Sequence, residues 1–211
     1  MTIARSGSES AQPPLLVADD PALDFLNTRP SLYTDPEERI PDGDALVSWL
    51  AAAGLLSRAE EREVRQRLSR AQLDRVAADA RHLRERLRSA VAAWAAKGTA
   101  PPASLLGDLN RALAAGPTAV TVRTTAGRIV LTPSRRFDTA AAILAPLAEA
   151  IARLFAEGDR RLVRECGSDV CSLWFYDRTK AHRRRWCSMD ACGARAKAAA
   201  YRARQRETLV R

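Results

Sequence analysis

Histidine, lysine and long apolar runs are scarce or absent in this 211-residue sequence, and each shortage argues against a class of function. Only 2 histidines occur, His82 and His182, and neither has the partners of a catalytic His-Glu zinc motif. No apolar run approaches the ~18 residues of a membrane span, and the N-terminal stretch MTIARSGSESAQPPLL lacks the apolar segment of a secretory signal. We therefore expect a non-enzymatic, cytoplasmic protein with no membrane partner.

Lysine supplies 3 of the 34 basic residues, and arginine supplies the other 31. Because this bias runs through the whole chain, the identity of a single arginine says little about a site. The position of the net charge says more. Residues 160–211 carry 14 basic and 5 acidic residues, whereas the first 159 residues carry 20 of each. The whole net charge of +9 lies in the last quarter of the chain, and a phosphate-binding surface needs such an asymmetry.

Cysteine is absent outside a short C-terminal stretch that contains all four, in the pattern C-x4-C-x15-C-x4-C: Cys166, Cys171, Cys187 and Cys192. Two short loops that each supply two thiolates suit tetrahedral Zn²⁺. Two disulfides or four unconnected buried thiols are the alternatives, and a reducing compartment favours metal over disulfides. Four thiolates leave no open coordination position for catalysis. His182 is the one residue nearby that could change this ligand set.

Length and an apolar content of 46% indicate one ordinary globular domain with a small appended module. We predict an α+β fold that is mainly α. A flexible leader covers residues 1–14, a mainly helical domain with a small β-hairpin covers 15–157, and a treble-clef-like zinc finger with a basic helix covers 160–211. Apolar residues that recur every three or four positions from Leu73 to Trp94 predict one long helix. Alternation on both sides of a turn predicts the hairpin over 119–132.

Single residues give further local expectations. Leu15-Leu16-Val17 is predicted to form a short strand. Asp44 is predicted to cap a helix, and Pro146 to kink the helix that begins near residue 138.

Two polar residues stand out in the apolar stretch Ala22 to Leu26 and just after it. Asp24 and Asn27 either hold backbone amides near a chain turn or line a small-molecule pocket. The sequence leaves both interpretations open.

The last 52 residues follow a plan that fits nucleic-acid contact. An aromatic strand over 174–176 leaves the first cysteine pair, an arginine run precedes the second pair, and Ser188 caps a helix that presents Cys192. On that helix we expect a small apolar face to pack against the aromatic strand; it consists of Ala194, Ala198 and Tyr201. The candidate nucleic-acid contacts are Arg178, Lys180, Arg183, Arg184, Arg185, Arg195, Lys197, Arg202, Arg204 and Arg206.

The chain also resembles known families. The stretches LVRECGSDVCSLWFYDRTK and RRWCSMDACGARAKAAAYRARQR resemble the CGNR zinc finger, and PALDFLNTRP resembles the ALDFxNT opening of the ABATE domain. These resemblances imply a bacterial stress-induced transcription regulator that binds Zn²⁺ through the four cysteines and DNA through its C-terminus. The signature tetrapeptide reads Cys192-Gly193-Ala194-Arg195 here. Ala194 therefore stands where the family signature has asparagine, and the chain lacks a side-chain amide that could brace the finger or touch a phosphate.

These observations favour a DNA-binding transcription regulator whose N-terminal domain senses an unidentified effector or mediates assembly. An RNA- or ribosome-associated zinc module and a structural zinc module for protein contacts are the alternatives. A homodimer would suit paired half-sites on DNA. The apolar stripe at 73–94 could form its interface, or could equally be core within one chain.

Overall fold

The computed structural model describes residues 14–30 and 37–209, with side chains described up to residue 206. The predicted leader falls almost wholly outside these residues. The fold is mainly α with two small antiparallel sheets, which confirms the predicted fold class. The helices are α1 (Pro21–Leu26), α2 (Gly43–Ala52), α3 (Arg58–Arg67), α4 (Arg70–Lys97), α5 (Ala103–Ala115), α6 (Ala145–Glu157) and α7 (Ala194–Leu209). The strands are β1 (Thr118–Thr125), β2 (Arg128–Arg135), β3 (Val163–Glu165) and β4 (Trp174–Tyr176).

The 28-residue helix α4 is the centre of the N-terminal domain. A capping box between Ser69 and Gln72 opens it, and Gly98 closes it in the left-handed region at φ 71°. The predicted stripe is confirmed, because every member from Leu73 to Trp94 is buried. Helices α1, α2 and α5 pack against α4. The stripe is therefore core within one chain and is not available as a dimer interface.

A buried ion pair joins α4 to the loop after α1. The Arg84 guanidinium donates to both carboxylate oxygens of Glu38, at 2.8 and 2.5 Å, and to the Thr28 hydroxyl at 2.9 Å. Arg84 is almost wholly inaccessible to solvent. A charge in such a place is tolerated only when its donors are matched, so these contacts hold Thr28 and Glu38 beside α4.

Helix α6 begins differently from the prediction. A 3-10 helix, Ala140–Leu144, precedes it, and Pro146 lies in its first turn rather than at a kink. A proline is well accommodated there because first-turn N–H groups have no partner within the helix. Leu147, Ile151 and Leu154 are buried.

Two other local predictions are wrong. Leu15–Val17 does not form a strand, because the Val17 amide donates to the Asp24 side chain instead of to a neighbouring strand. Helix α2 is capped by Asp42, whose carboxylate accepts from the Ala45 amide at 2.9 Å. Asp44 lies within the first turn and pairs with Arg65.

The predicted hairpin is confirmed as β1 and β2, paired in register from Thr118↔Arg135 to Thr125↔Arg128. Ala126 and Gly127 both have positive φ, 49° and 74°, as a two-residue turn between antiparallel strands requires. Within the described residues, no helix has both the length and the apolar character needed to cross a bilayer.

The contact between α2 and α4 gives a testable prediction. A Cβ at Gly43 would lie 2.2 Å from the Leu73 Cβ and 2.4 Å from the Leu73 carbonyl carbon. Gly43→Ala should therefore lower the free energy of unfolding by about 1–3 kcal/mol through overpacking. Gly107→Ala on α5 is the matched control, because its Cβ would meet only the Arg111 guanidinium at 3.5 Å. Because alanine has a higher helix propensity than glycine, Gly107→Ala should raise the free energy of unfolding by up to ~1 kcal/mol. Urea unfolding followed by circular dichroism measures both, and equal losses in the two variants would contradict the close contact.

Candidate metal centre and its docking to the N-terminal domain

The four cysteine sulfurs lie together, all within 4.8 Å of one another, and all four residues are buried. The Cys171 and Cys187 sulfurs are 3.8 Å apart, and those of Cys187 and Cys192 are 3.7 Å apart. A tetrahedron with metal–sulfur bonds of ~2.3 Å has sulfur–sulfur edges of about 3.8 Å. The cluster therefore has the dimensions of a metal site, and its sulfurs are too far apart for disulfide bonds of ~2.05 Å.

Short backbone contacts hold the two cysteine loops side by side. Strands β3 and β4 pair antiparallel, and Cys166 and Cys171 lie in the loop between them. The Gly167 amide donates to the Arg185 carbonyl at 2.8 Å, which ties the first loop to the second. Ser188 then caps a π-helical turn, Met189–Gly193, that carries Cys192 and runs directly into α7. This order of hairpin, loop and helix matches the predicted treble-clef-like plan.

Hydrogen-bond donors surround the sulfurs. The Cys187 amide points at the Cys166 sulfur at 3.4 Å, and the Arg195 guanidinium lies 3.3 Å from the Cys192 sulfur. A hydrogen bond from the Cys187 thiol lowers the pKa of Cys171 to about 5. Burial raises the pKa of Cys166. A lowered pKa favours the thiolate of Cys171, the form of cysteine that binds metal.

His182 does not join this cluster. Its side chain is exposed, and its Nδ1 lies 3.2 Å from the Asp177 carbonyl oxygen. The metal-binding group in the described residues consists of the four cysteines alone.

A buried carboxylate organises the loop that brings the chain back to the second cysteine pair. Asp177 is inaccessible to solvent and accepts hydrogen bonds from the Thr179 amide, the Thr179 hydroxyl and the Arg184 amide. Although burial alone would raise it, the pKa of Asp177 is lowered by these bonds and by the nearby Arg164 charge. Arg164 also donates to the His182 and Arg184 carbonyls. The loop that carries the arginine run is therefore held from inside.

The finger docks on the N-terminal segment through the edge of β4. The Asn27 side chain accepts from the Trp174 amide and donates to the Trp174 carbonyl, both at 2.9 Å, across 147 residues of sequence. The Tyr176 amide donates to the Ala18 carbonyl at 2.7 Å. Asn27 is buried, so its amide supplies what a third strand would supply at this edge.

Asp24 holds the segment that meets this edge. One of its carboxylate oxygens accepts from the Val17 amide at 2.8 Å and from the Ala18 amide at 2.9 Å. Burial raises the pKa of Asp24 to about 6 although these bonds act in the opposite direction. Asp24 thus holds nearby backbone amides, as the first of the two interpretations had it. Asn27 also binds backbone groups, but those of the distant Trp174 rather than of a nearby turn.

Two arginines of the finger close the same junction. Arg184 donates to the Asp19 carboxylate at 2.5 Å, to the Val17 carbonyl at 2.6 Å and to the Cys187 carbonyl at 2.5 Å, and it stacks on the Phe175 ring. Its expected role as a nucleic-acid contact is therefore wrong, because its donors are already engaged inside the protein. Arg178 donates to the Asp19 carbonyl at 2.7 Å and covers the Tyr176 ring, but its side chain remains 58% exposed.

Two family models match the chain. The ABATE model, described as "Putative stress-induced transcription regulator", matches residues 19–158. The chain belongs to the ABATE family. The CGNR zinc finger model matches residues 162–205. No curated protein matches the chain. The junction described above is therefore the contact between the ABATE domain and the CGNR finger. Its N-terminal side is provided by Val17 to Asp20, just before the ABATE opening PALDFLNT, and by Asn27 within that opening.

A cavity of about 500 Å³ lies beside this junction, between α6 of the ABATE domain and β4 of the finger. Asp24 and Asn27 do not line it. Its basic side chains already pair with its acidic ones, Arg135 and Arg153 with Glu149, and Arg178 with Asp20. The pocket interpretation of Asp24 and Asn27 therefore finds no support in this cavity.

Helix α7 of the CGNR finger is exposed along nearly its whole described length. The predicted packing of Ala194, Ala198 and Tyr201 on β4 is wrong, because all three are exposed, Tyr201 by 59%. Alanine offers little area to bury, so this face is too small to hold the helix against the finger. The other candidate nucleic-acid contacts are exposed: Lys180, Arg183, Arg185, Arg195, Lys197, Arg202, Arg204 and Arg206.

Sequence reasoning did not find Asp19, Asp20 or Asp177 as important residues. Asp20 caps α1, and Asp19 receives Arg178 and Arg184 from the finger. The available signal was weak: three carboxylates within six residues of the ABATE opening, facing a finger with excess positive charge.

Asn27 gives a testable prediction about the junction. Asn27→Ala leaves a buried N–H and a buried C=O of Trp174 without partners, and should lower the free energy of unfolding by about 2–4 kcal/mol. Hydrogen exchange at the Trp174 amide should become faster in the same variant. Asn110→Ala on the exposed side of α5 is the matched control, and should change stability by less than ~0.5 kcal/mol. If Asn27→Ala behaved like the control, the amide would not be what joins the two domains.

Proposed function

We propose that this protein is a DNA-binding transcription regulator in which a Zn²⁺ ion, bound by the four cysteines, fixes the CGNR finger for phosphate contact. The observation that carries the proposal is the combination of a rigidly docked finger with an exposed basic helix. The excess positive charge of the chain lies in this finger. Family membership among stress-induced regulators supports the same reading.

Zn²⁺ is proposed from the donor set. Four thiolates at tetrahedral spacing suit Zn²⁺, and a closed site of this kind has a structural role. The ion and four thiolates together carry a formal charge of −2, so residues 160–211 would keep a net charge of about +7. Cys166, Cys171, Cys187 and Cys192 would hold the ion. The amide of Cys187 and the guanidinium of Arg195 already point at sulfurs and would moderate that negative charge.

Two surfaces would meet the nucleic acid. Arg183 and Arg185 are exposed on a loop that Asp177 and Arg164 hold in place. On α7, Arg195, Arg202 and Arg206 form one row, and Lys197 and Arg204 form a second. A helix of 16 residues is ~24 Å long and fits the major groove of B-DNA. The loop would then bind phosphates while α7 reaches base edges.

In this proposal the ABATE domain holds the finger in one orientation. Its Asp19, Ala18 and Asn27 hold the finger by side-chain and backbone contacts, so the basic surfaces keep one orientation. Preorganised contacts bind with a smaller entropy loss than a flexible tail would.

The DNA proposal is tested by fluorescence anisotropy with duplex DNA and with a structured RNA, across a salt series. We expect duplex binding whose logarithm falls steeply with the logarithm of salt concentration. Arg183→Ala/Arg185→Ala should weaken binding and reduce that slope by about 2. Arg184 is left unchanged because its substitution would open the junction.

Arg58→Ala/Arg62→Ala on the exposed part of α3 removes the same charge far from the finger in sequence, and should leave the slope unchanged. Tighter binding to RNA than to DNA at every salt concentration would make the finger an RNA-binding module. Binding to neither would favour a zinc module for protein contacts.

Metal removal gives a separate prediction. Wild-type protein should contain one Zn²⁺ per chain, and Cys187→Ser should contain far less, because Cys187 lies between two other ligands of the cluster. The variant should also lose the near-ultraviolet signal of Trp174 and Trp186, since folding of such fingers depends on the metal.

Ser188→Ala is the control for this experiment. It removes a helix cap next to the cluster but no ligand, so it should keep the metal and lose only about 1 kcal/mol of stability. A wild-type chain purified without tightly held metal would contradict the zinc proposal, whatever its affinity for DNA.

A further inference from the structure

The hairpin of β1 and β2 has an apolar face that is open to solvent. In the register of the two strands, Val120 lies opposite Pro133, and Val122 lies opposite Leu131. Ile129 lies on the same face, opposite Thr124. Val120, Val122, Ile129 and Leu131 are 64%, 67%, 77% and 70% exposed. Four large apolar side chains on one face of one hairpin form a contiguous exposed patch, and such patches mark interaction sites.

The opposite face of the same hairpin is polar. It carries Arg123, opposite Val130, and Thr121, whose hydroxyl donates to the Thr132 carbonyl at 3.1 Å. The hairpin therefore has one apolar and one polar face, like a sheet that is buried on one side. Here, however, the apolar face is exposed to solvent.

The exposed apolar face of the hairpin needs another surface to pack against. A two-stranded ribbon is at best marginally stable in water, and a hydrophobic face packed on another element is what usually stabilises it. Among the residues that the structure describes, β1 and β2 pair only with each other. The base of the ribbon is anchored by an ion pair between Arg135 and Glu149 and by the buried Phe137. The anchor holds the ribbon at its base and leaves the apolar face uncovered.

We propose that the apolar face of this hairpin packs against the same face of a second copy of the chain, and that the protein is a two-fold symmetric dimer. A two-fold contact places the same surface on both sides. This face is suited to meet itself because its outer part is uncharged, and its charged residue at the base, Arg135, is paired with Glu149. Arg123 and Arg128 lie on the other face, so two packed ribbons bring no like charges together.

The area of the face agrees with a dimer contact. The four exposed side chains offer together ~500 Å² per copy, so a face-to-face pair would bury ~1,000 Å², at the lower limit of specific interfaces. Thr124 and Pro133 extend the same face and add to this area. A nucleic acid is a poor occupant, because the cation on this face, Arg135, is already paired with Glu149 and the rest of the face is uncharged.

The experiment is sedimentation equilibrium of the full chain over a range of concentrations, with Leu131→Glu as the test variant. Val130→Glu is the matched control: it is the adjacent residue on the same strand, it also replaces an apolar residue with glutamate, but it lies on the polar face opposite Arg123. Both positions are exposed, so both variants should fold, and thermal melting of each checks this.

We expect the wild-type chain to reach twice its 23.1 kDa mass at high concentration. Leu131→Glu should raise the dissociation constant at least tenfold, and Val130→Glu should change it less than twofold. A wild-type chain that stays monomeric up to its solubility limit would overturn the proposal, as would equal weakening by the two variants.

Two further outcomes would also overturn it. A mass that continues to rise beyond the dimer would mean an open assembly instead of a closed pair. Binding of the wild-type chain, but not of Leu131→Glu, to vesicles of anionic lipid would mean that the face inserts into a membrane surface. DNA affinity is not a readout here, so the result does not depend on the proposed function.

Discussion

The junction between the two parts of the chain depends on one side-chain amide that pairs with the backbone N–H and C=O of a residue 147 positions away. Asn27 satisfies both the N–H and the C=O of Trp174, and the Tyr176 amide reaches the Ala18 carbonyl along the same edge of β4. Only an amide side chain can donate and accept at the same time in this geometry. Because β4 pairs with β3 on its other side, the ABATE segment takes the place of a third strand. The ABATE domain and the CGNR finger therefore share one hydrophobic core rather than meeting as two separate domains.

Arg184 links this junction to the sulfur cluster. Arg184 binds the Cys187 carbonyl on one side and the Asp19 carboxylate and Val17 carbonyl on the other. A metal ion that orders the second cysteine loop would at the same time order the arginine that reaches the ABATE domain. Part of the free energy of metal binding would then stabilise the contact between the finger and the ABATE domain. Because the two processes are linked, a well-formed contact would in turn raise the affinity for the metal.

The parts of the protein that could be predicted from the sequence are those set by local patterns. The long helix α4 follows from the spacing between Leu73 and Trp94, and the hairpin follows from alternation around a turn. The metal cluster follows from four cysteines of repeated spacing. The junction could not be predicted in this way. Asp24 and Asn27 have the same short-range preferences whether they bind local amides or line a pocket, and nothing near Asn27 in sequence points to Trp174.

Charge counting failed for a related reason. Arg183, Arg184 and Arg185 are identical in sequence terms, yet the Arg184 side chain faces the interior while its neighbours are exposed. What separates them is that Asp177 and Arg164 hold the backbone of Arg184, whose side chain then reaches Val17 and Asp19. The failure on α7 has a different cause. Three side chains at helical spacing predicted a packed face, but two of them are alanines. The small apolar area that they could bury does not offset the cost of removing water from the neighbouring arginines.

The exposure of α7 has a consequence for its stability and its binding. A helix that is exposed along most of its described length relies largely on intrinsic propensity, and the alanine-rich stretch from Ala194 to Ala203 provides it. One pair of its arginines acts in the opposite direction. Arg202 and Arg206 lie one turn apart, and like charges at this spacing destabilise a helix by ~0.2–0.5 kcal/mol. A phosphate between them would convert that repulsion into attraction. A bound polyanion would therefore relieve the repulsion between Arg202 and Arg206 that acts against the free helix.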